Sequence, residues 1–276
     1  MTLSGEMNHT EVAAERLLDG AREIAAQAGR RILTFYRQDA QVEQKADASP
    51  LTLADRAAHE LIRRELRRLT PEIPLLSEES EAAEVEHRRS WRRFWLVDPL
   101  DGTKEFIKQT GEFTVNLALI EEGAPVLGVV HVPATGVSYF ARQGQGAYRT
   151  GEGGEPQRIR PRRADPARLA VVASRDHAGP LVKALLERLP GATTLSMGSA
   201  LKFCLVAEGK ADLYLRDLPT MEWDTAAAQC VVEEAGGSVT DLEGQRLLYN
   251  RPSMQNPPII TVGDLELLWK AYVERA

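Results

Sequence analysis

Between residues 12 and 36, apolar side chains recur at Leu17, Leu18, Ala21, Ile24, Ala25, Ala28, Ile32 and Phe35. That spacing predicts one face of a long helix. A second helix is predicted after the Ser49-Pro50 break, over residues 54–69, burying Ala58, Leu61, Ile62 and Leu66 and turning its arginines to water. The apolar run Phe94-Trp95-Leu96-Val97 reads as a buried strand, and from there the period changes to two. Strands are expected over residues 113–120, 126–132 and 137–141, separated by Glu121-Glu122-Gly123 and by Pro133-Ala134-Thr135-Gly136. This is the pattern of an antiparallel meander.

Residues 150–166 are rich in Gly, Pro and Arg, with little periodicity, and read as a loop or internal boundary. Beyond them strands and helices alternate. Strands are predicted at 169–173, 211–215, 238–241 and 259–262, and helices at 180–189, 200–208 and 222–235, the last closed by Gly236-Gly237. A terminal helix is expected to contain Leu265 and Trp269. The chain therefore divides into an α+β half, residues 1–150, and an α/β half, residues 151–276, which together complete one site.

With 276 residues and 43% hydrophobic content the chain can bury a large core. Its formal net charge of −6 argues against a nucleic-acid polymer as partner, and would repel a phosphorylated substrate unless cations intervene. No window approaches the roughly 18 to 20 apolar residues of a membrane helix, which leaves only peripheral association open. Met1 to Thr10 lack the pattern of an export signal, and Cys204 and Cys230 sit in apolar runs that suit buried free thiols. These features suit a cytoplasmic protein.

The chemistry concentrates in Asp98-Pro99-Leu100-Asp101-Gly102-Thr103, where two carboxylates three residues apart follow the buried strand. Pro99 interrupts the ladder and Gly102 permits a tight turn, so both acids are expected to project from a strand-to-helix corner. Further acids stand at element ends: Asp55, Glu78-Glu79 and Asp224. Singly, Asp55 and Asp224 suit helix-terminus stabilisation and Glu78-Glu79 a solvated loop. Collected in one place they would repel one another, and hard oxygen ligands of that kind suit Mg²⁺.

Three dispersed motifs, Ser77-Glu78-Glu79-Ser80, Trp95-Leu96-Val97-Asp98-Pro99-Leu100-Asp101-Gly102-Thr103 and Trp223-Asp224-Thr225-Ala226-Ala227, resemble the inositol monophosphatase superfamily of metal-dependent, lithium-sensitive phosphatases. Within it, Lys104-Glu105-Phe106-Ile107, Gly111-Glu112-Phe113-Thr114-Val115-Asn116 and Ser199-Ala200-Leu201-Lys202-Phe203-Cys204 are similar to the bacterial 3′(2′),5′-bisphosphate nucleotidase group. The resemblance implies the layered αβαβα sugar-phosphatase fold. It also implies hydrolysis of the 3′-phosphate of adenosine 3′,5′-bisphosphate, a by-product of sulfur assimilation, to AMP and phosphate. An inositol 1-phosphate or other sugar-phosphate phosphatase on the same scaffold is the alternative, and a nucleotide-sequestering protein without turnover is the non-enzyme reading.

Carried over by position, the resemblance implies that Glu78, Asp98, the main-chain carbonyl of Leu100, Asp101 and Asp224 hold two or three Mg²⁺ ions. Asp55 and Thr103 would orient the attacking water, with Glu78 also in the catalytic set. Gly102, Thr103, Lys104, Ser199, Lys202 and Glu222 would contact a small phosphorylated nucleotide, with Arg175 and His177 as further candidates. One departure is that Ser49 stands where many members carry a carboxylate, which leaves Ser49 and Asp47 outside the expected ligand set. A homodimer is the family habit.

Overall fold

The computed structural model describes residues 9–36, 50–173 and 179–273. The chain opens with the helices α1 (His9–Tyr36) and α2 (Pro50–Leu69), which pack together. The second begins at Pro50, four residues before the sequence expectation, because a proline at the first helical position loses no bond and its φ is already helical. Then come β1 (Leu75–Ser77), α3 (Ala82–His87), β2 (Arg93–Asp101), α4 (Thr103–Ile107), β3 (Thr114–Glu121), β4 (Ala124–Val132), β5 (Val137–Arg142), β6 (Gly146–Thr150) and β7 (Gln157–Ile159). Among the described residues these strands form one seven-stranded sheet in chain order. β3 to β5 are the expected antiparallel meander; β2, β6 and β7 extend it in the same antiparallel sense, and β1 is added parallel to β2.

The second half contributes β8 (Ala170–Ala173), α5 (Pro180–Arg188), β9 (Thr193–Ser196), α6 (Leu201–Ala207), β10 (Leu213–Arg216), α7 (Glu222–Ala235), β11 (Ser238–Asp241), β12 (Ile259–Val262) and α8 (Lys270–Val273). Its five strands are ordered β11-β12-β10-β8-β9.

Side-chain alternation stacks these elements into five layers. On β2, Trp95 and Val97 join the core under α1 and α2, whereas Phe94 and Leu96 face α6 and α7. On β10, Tyr214 faces α6 and α7 while Leu213 and Leu215 face α5 and α8. The order is therefore helices α1 and α2, the first sheet, α6 and α7, the second sheet, then α5 and α8, the αβαβα arrangement. Gly128 on β4 lets α7 lie directly on the first sheet, since a Cβ there would collide with the Ala227 carbonyl and stand 2.8 Å from Cys230 Cβ.

Several expectations need correction. Residues 150–166 are not wholly loop: β7 lies within them and extends the first sheet past residue 150. The sequence reading also lacks β1, β6 and β9. Leu265 and Trp269 both lie outside the last helix, and Leu265 is 66% exposed, because Asp264 accepts the N–H groups of Ala164 and Glu266 and turns the chain there. Cys204 and Cys230 are buried free thiols. No helix among the described residues is long and apolar enough to cross a membrane.

Candidate active site

The two acids of β2 share a site because the strand is irregular. In a regular strand, residues three apart point to opposite faces. Here Asp98 pairs with Asn116 and Asp101 with Thr114, so β2 carries one residue more than β3 between these pairs. That bulge, tolerated by Pro99, which has no N–H to leave unpaired, returns Asp101 to the side of Asp98. Both line a cavity of about 270 Å³ between the sheets. Asp98 is buried and accepts the Leu100 N–H (3.0 Å), while Asp101 accepts the Ala200 N–H (2.6 Å) and the Asn116 side-chain amide (3.3 Å).

The same cavity is lined by Glu78 beyond β1, by Leu100, by Gly102, Thr103 and Lys104 at the start of α4, by Ser199 and Lys202 around the start of α6, and by Asp224 on α7. Gly102 makes the corner at φ +96, a conformation that favours glycine. Asp224 also caps its own helix, accepting the Met221 N–H at 2.8 Å, so the helix-terminus and cavity readings both describe it.

The acids raise one another's pKa. Burial, then the charges of Asp101 and Glu78, pushes Asp98 well above the usual carboxylate range. Burial and Asp101 bring Asp224 to about 7, and Glu78 is pushed up by burial, Asp101 and Glu79. Burial also raises Asp101, against the Lys202 ammonium and the Ala200 N–H, which pull it down. At neutral pH such a set either retains protons or takes up a cation. Among the described residues no three acids close into a finished cage, as expected of carboxylates that repel one another around an open space. All the donors are hard oxygens, which fits Mg²⁺ and not a soft metal.

Two sequence-predicted residues stand apart from the cavity lining. Asp55 faces Glu79 and Glu78; burial and then these two charges raise it to about 8. Its Oδ1 is buried with no hydrogen-bond partner among the described residues. Glu222 is not at the substrate side at all. It is fully buried and accepts the N–H groups of Asn250 (2.9 Å) and Arg251 (3.0 Å) and the Arg251 guanidinium (3.3 Å), bracing the start of α7 from behind. Three of its roughly four acceptor positions are used there and it does not line the cavity, which corrects the expected contact with the nucleotide. Arg175, His177, Ser49 and Asp47 lie outside the described residues.

Sequence reasoning missed Tyr214, Arg216 and Thr220, which line the cavity. The signal was the alternation Leu213-Tyr214-Leu215-Arg216, in which polar even positions end a buried strand and face the inner layer. Lys202 is only 8% exposed, donates to the Ser199 carbonyl (2.7 Å) and lies 5.7 Å from the Tyr214 ring centre. Burial lowers its pKa, and Asp101 opposes that.

A bulged strand carrying paired acids between two sheets, with Glu78 and Asp224 converging on it, defines a class, and residues 13–271 match the sequence profile of that class. The chain belongs to the inositol monophosphatase family. The 3′(2′),5′-bisphosphate nucleotidase CysQ of Escherichia coli is 50% identical over 244 residues, covering 87% of this chain and 97% of that protein. The protein of the same name from Salmonella typhimurium is 49% identical over 87% of this chain and 97% of its own. Among solved structures, CysQ from Bacteroides thetaiotaomicron, a bacterial member of the family, superposes with a TM-score of 0.82 at 39% identity, covering 92% of this chain and 99% of that one. An inositol monophosphatase from Zymomonas mobilis gives 0.74 at 27% identity, over 96% and 98% of the two chains.

Proposed function

We propose that the protein is a Mg²⁺-dependent 3′(2′),5′-bisphosphate nucleotidase that hydrolyses the 3′-phosphate of adenosine 3′,5′-bisphosphate to AMP and phosphate. The observation that carries the reading is the composition of one cavity. Five acids, the mutually repelling Glu78, Asp98, Asp101 and Asp224 together with Glu105, share it with the cationic side chains of Lys104, Lys202 and Arg216, as a phosphorylated substrate held over metal requires. The similarity to the CysQ nucleotidases supports the nucleotide over an inositol phosphate.

Glu78, Asp98, Asp101, Asp224 and the Leu100 main-chain carbonyl would hold two or three Mg²⁺. Such ions supply an activated water and neutralise phosphoryl charge when bound. The chain itself orients and exchanges protons. Thr103, on the α4 turn that lies against α2, would hold the attacking water by its hydroxyl, and the Asp55 carboxylate on α2 would accept the proton through Thr103. Burial and the charges of Glu79 and Glu78 raise the Asp55 pKa in the ion-free protein, in the direction that favours proton uptake there. As the water oxygen bonds to phosphorus, the bond from phosphorus to the ribose 3′-oxygen breaks and that oxygen is protonated from solvent.

Lys202, Arg216 and Lys104 attract the phosphates, with Ser199 and Gly102 giving close polar contact. Initial rates with Mg²⁺ on adenosine 3′,5′-bisphosphate, inositol 1-phosphate and fructose 1,6-bisphosphate test the reading. The highest kcat/KM is expected for the nucleotide, and a clear preference for either of the others overturns it.

A further inference from the structure

The segment Gly111-Glu112-Phe113 has no part in the chemistry above, yet it reaches across the cleft between the two sheets. Glu112 stands just before β3 and its Oε2 accepts the Gly198 N–H at 2.9 Å. Two residues on, Asp101 accepts the Ala200 N–H at 2.6 Å. Ser199, between these two anchors, has φ +47, an uncommon conformation for a residue with a Cβ. Its carbonyl receives the Lys202 ammonium at 2.7 Å, and both Ser199 and Lys202 are buried cavity-lining residues.

The turn that carries Glu112 is itself fixed. Thr110 donates its N–H to the Glu105 carbonyl (3.1 Å), and the Glu112 N–H bonds the Thr110 hydroxyl (3.3 Å). The approach of the two segments is close enough to require glycine at 198, since a Cβ there would stand 2.8 Å from both Glu105 Cδ and the Glu112 carbonyl. Glu112 does not line the active-site cavity.

We propose that Glu112 is a positioning residue for the reaction: its carboxylate straps Gly198 to the first sheet and so holds Ser199 and Lys202 in the conformation that receives substrate. Without the strap, Ser199 is free to relax toward negative φ, which moves its carbonyl and the ammonium bound to it. The inference rests on the proposed phosphatase function for its readout, but on neither the nucleotide nor the metal count.

The test separates reach from charge. Glu112→Gln keeps a side-chain oxygen at the same reach, Glu112→Asp keeps the charge but is one methylene too short, and Glu112→Ala has neither. Each is assayed on whichever ester the wild type turns over best, with Tm measured alongside. A hydrogen bond to a charged group corresponds to a loss of about 10- to 100-fold in kcat/KM, expressed chiefly in KM. That loss is expected for the Asp and Ala variants, with Glu112→Gln within about three-fold of wild type, a window set by the smaller value of a neutral bond. In a Lys202→Met or Ser199→Ala background the Ala substitution should have much less effect, because the two changes act on one unit.

Full activity in both the Asp and Ala variants overturns the proposal, as does a Gln variant as impaired as Ala, or full additivity in both double variants. If the wild type prefers inositol 1-phosphate, the substrate reading fails while this comparison still gives its answer.

Discussion

Asp98→Asn isolates the part of the account that depends on charge. Asp98 is 1% exposed, and its Oδ1 accepts the Leu100 N–H at 3.0 Å. Asparagine has the same shape and keeps that acceptor, so the corner at Leu100 is expected to survive. The electrostatics change sharply. Two carboxylates about 6 Å apart repel by about 3 kcal/mol at an effective dielectric of about 20. Asp98 has Asp101, Glu78, Asp224 and Asp55 raising its pKa after burial itself.

In the ion-free protein burial and these neighbours favour the protonated Asp98 carboxyl, which relieves part of this repulsion. The variant therefore gains only about 1 kcal/mol, about 2–4 °C in Tm for a chain of this size. With Mg²⁺ the order reverses. At an ion concentration a hundred times Kd the wild type gains about 2.7 kcal/mol, whereas the variant lacks one ligand charge and gains much less. Turnover is expected to fall at least about 1,000-fold, equivalent to about 4 kcal/mol of barrier. Thermal denaturation of EDTA-treated protein with and without added Mg²⁺, beside phosphate release, reads all three. A variant that keeps both the Mg²⁺-induced Tm rise and wild-type turnover would refute the placement of Asp98 among the metal ligands.

Further outcomes follow from the same structure. The carboxyl of Asp224 sits at about 7 and that of Asp55 at about 8, so Mg²⁺ added to the unbuffered apo protein near pH 7 should release protons, measurable by pH-stat; no release contradicts the raised values. Folded pKa values above unfolded ones also mean that this acid cluster stabilises the apo protein below about pH 4 and loses that contribution as pH rises toward 8. His131 acts in the opposite sense: burial and Arg30 hold it near 4 instead of 6.5, so its contribution is present above 6.5 and lost as pH falls toward 4. The difference in unfolding free energy between wild type and His131→Asn should change by about 3 kcal/mol across that window in urea titrations. Glu222→Ala should destabilise by about 3–5 kcal/mol, because Arg251 loses its buried partner, while the fraction that remains folded keeps a near-normal KM; a large KM rise at unchanged Tm would return Glu222 to the substrate. Gly128→Val should cost about 1–3 kcal/mol or more by forcing α7 off β4, visible as a lower Tm together with weaker Mg²⁺ binding through Asp224.

What could be read from the sequence was whatever a local pattern encodes. Helix α7 is predicted with the bounds it has, Glu222–Ala235, because an acidic first turn and the Gly236-Gly237 stop mark both ends. The meander is legible because β3 and β4 are long and buried. By contrast β7 and β9 are edge strands of 3 and 4 residues with mostly exposed side chains, and only pairing with a neighbour makes them strands. The corner Asp98 to Thr103 announced itself through Pro99 and Gly102, but its consequence did not: the extra residue that turns Asp101 to the side of Asp98 is defined only against β3.

The same distinction holds in the site. Asp224 and Glu222 are near neighbours in sequence and equally acidic, yet one lines the cavity and the other is spent on Arg251 and Asn250, a partnership between segments far apart in the chain. Arg216 went unnoticed because a strand-ending arginine is ordinary until the second sheet turns it toward the first.

The most direct measurement follows the phosphorus of adenosine 3′,5′-bisphosphate by ³¹P NMR in the presence and absence of Mg²⁺. One phosphate is expected to be released per nucleotide, with 5′-AMP as the product that accumulates and no release once the ion is chelated. Accumulation of the 3′-monophosphate, equal release in EDTA, or an inert bisphosphate beside rapid turnover of inositol 1-phosphate would contradict the proposed function.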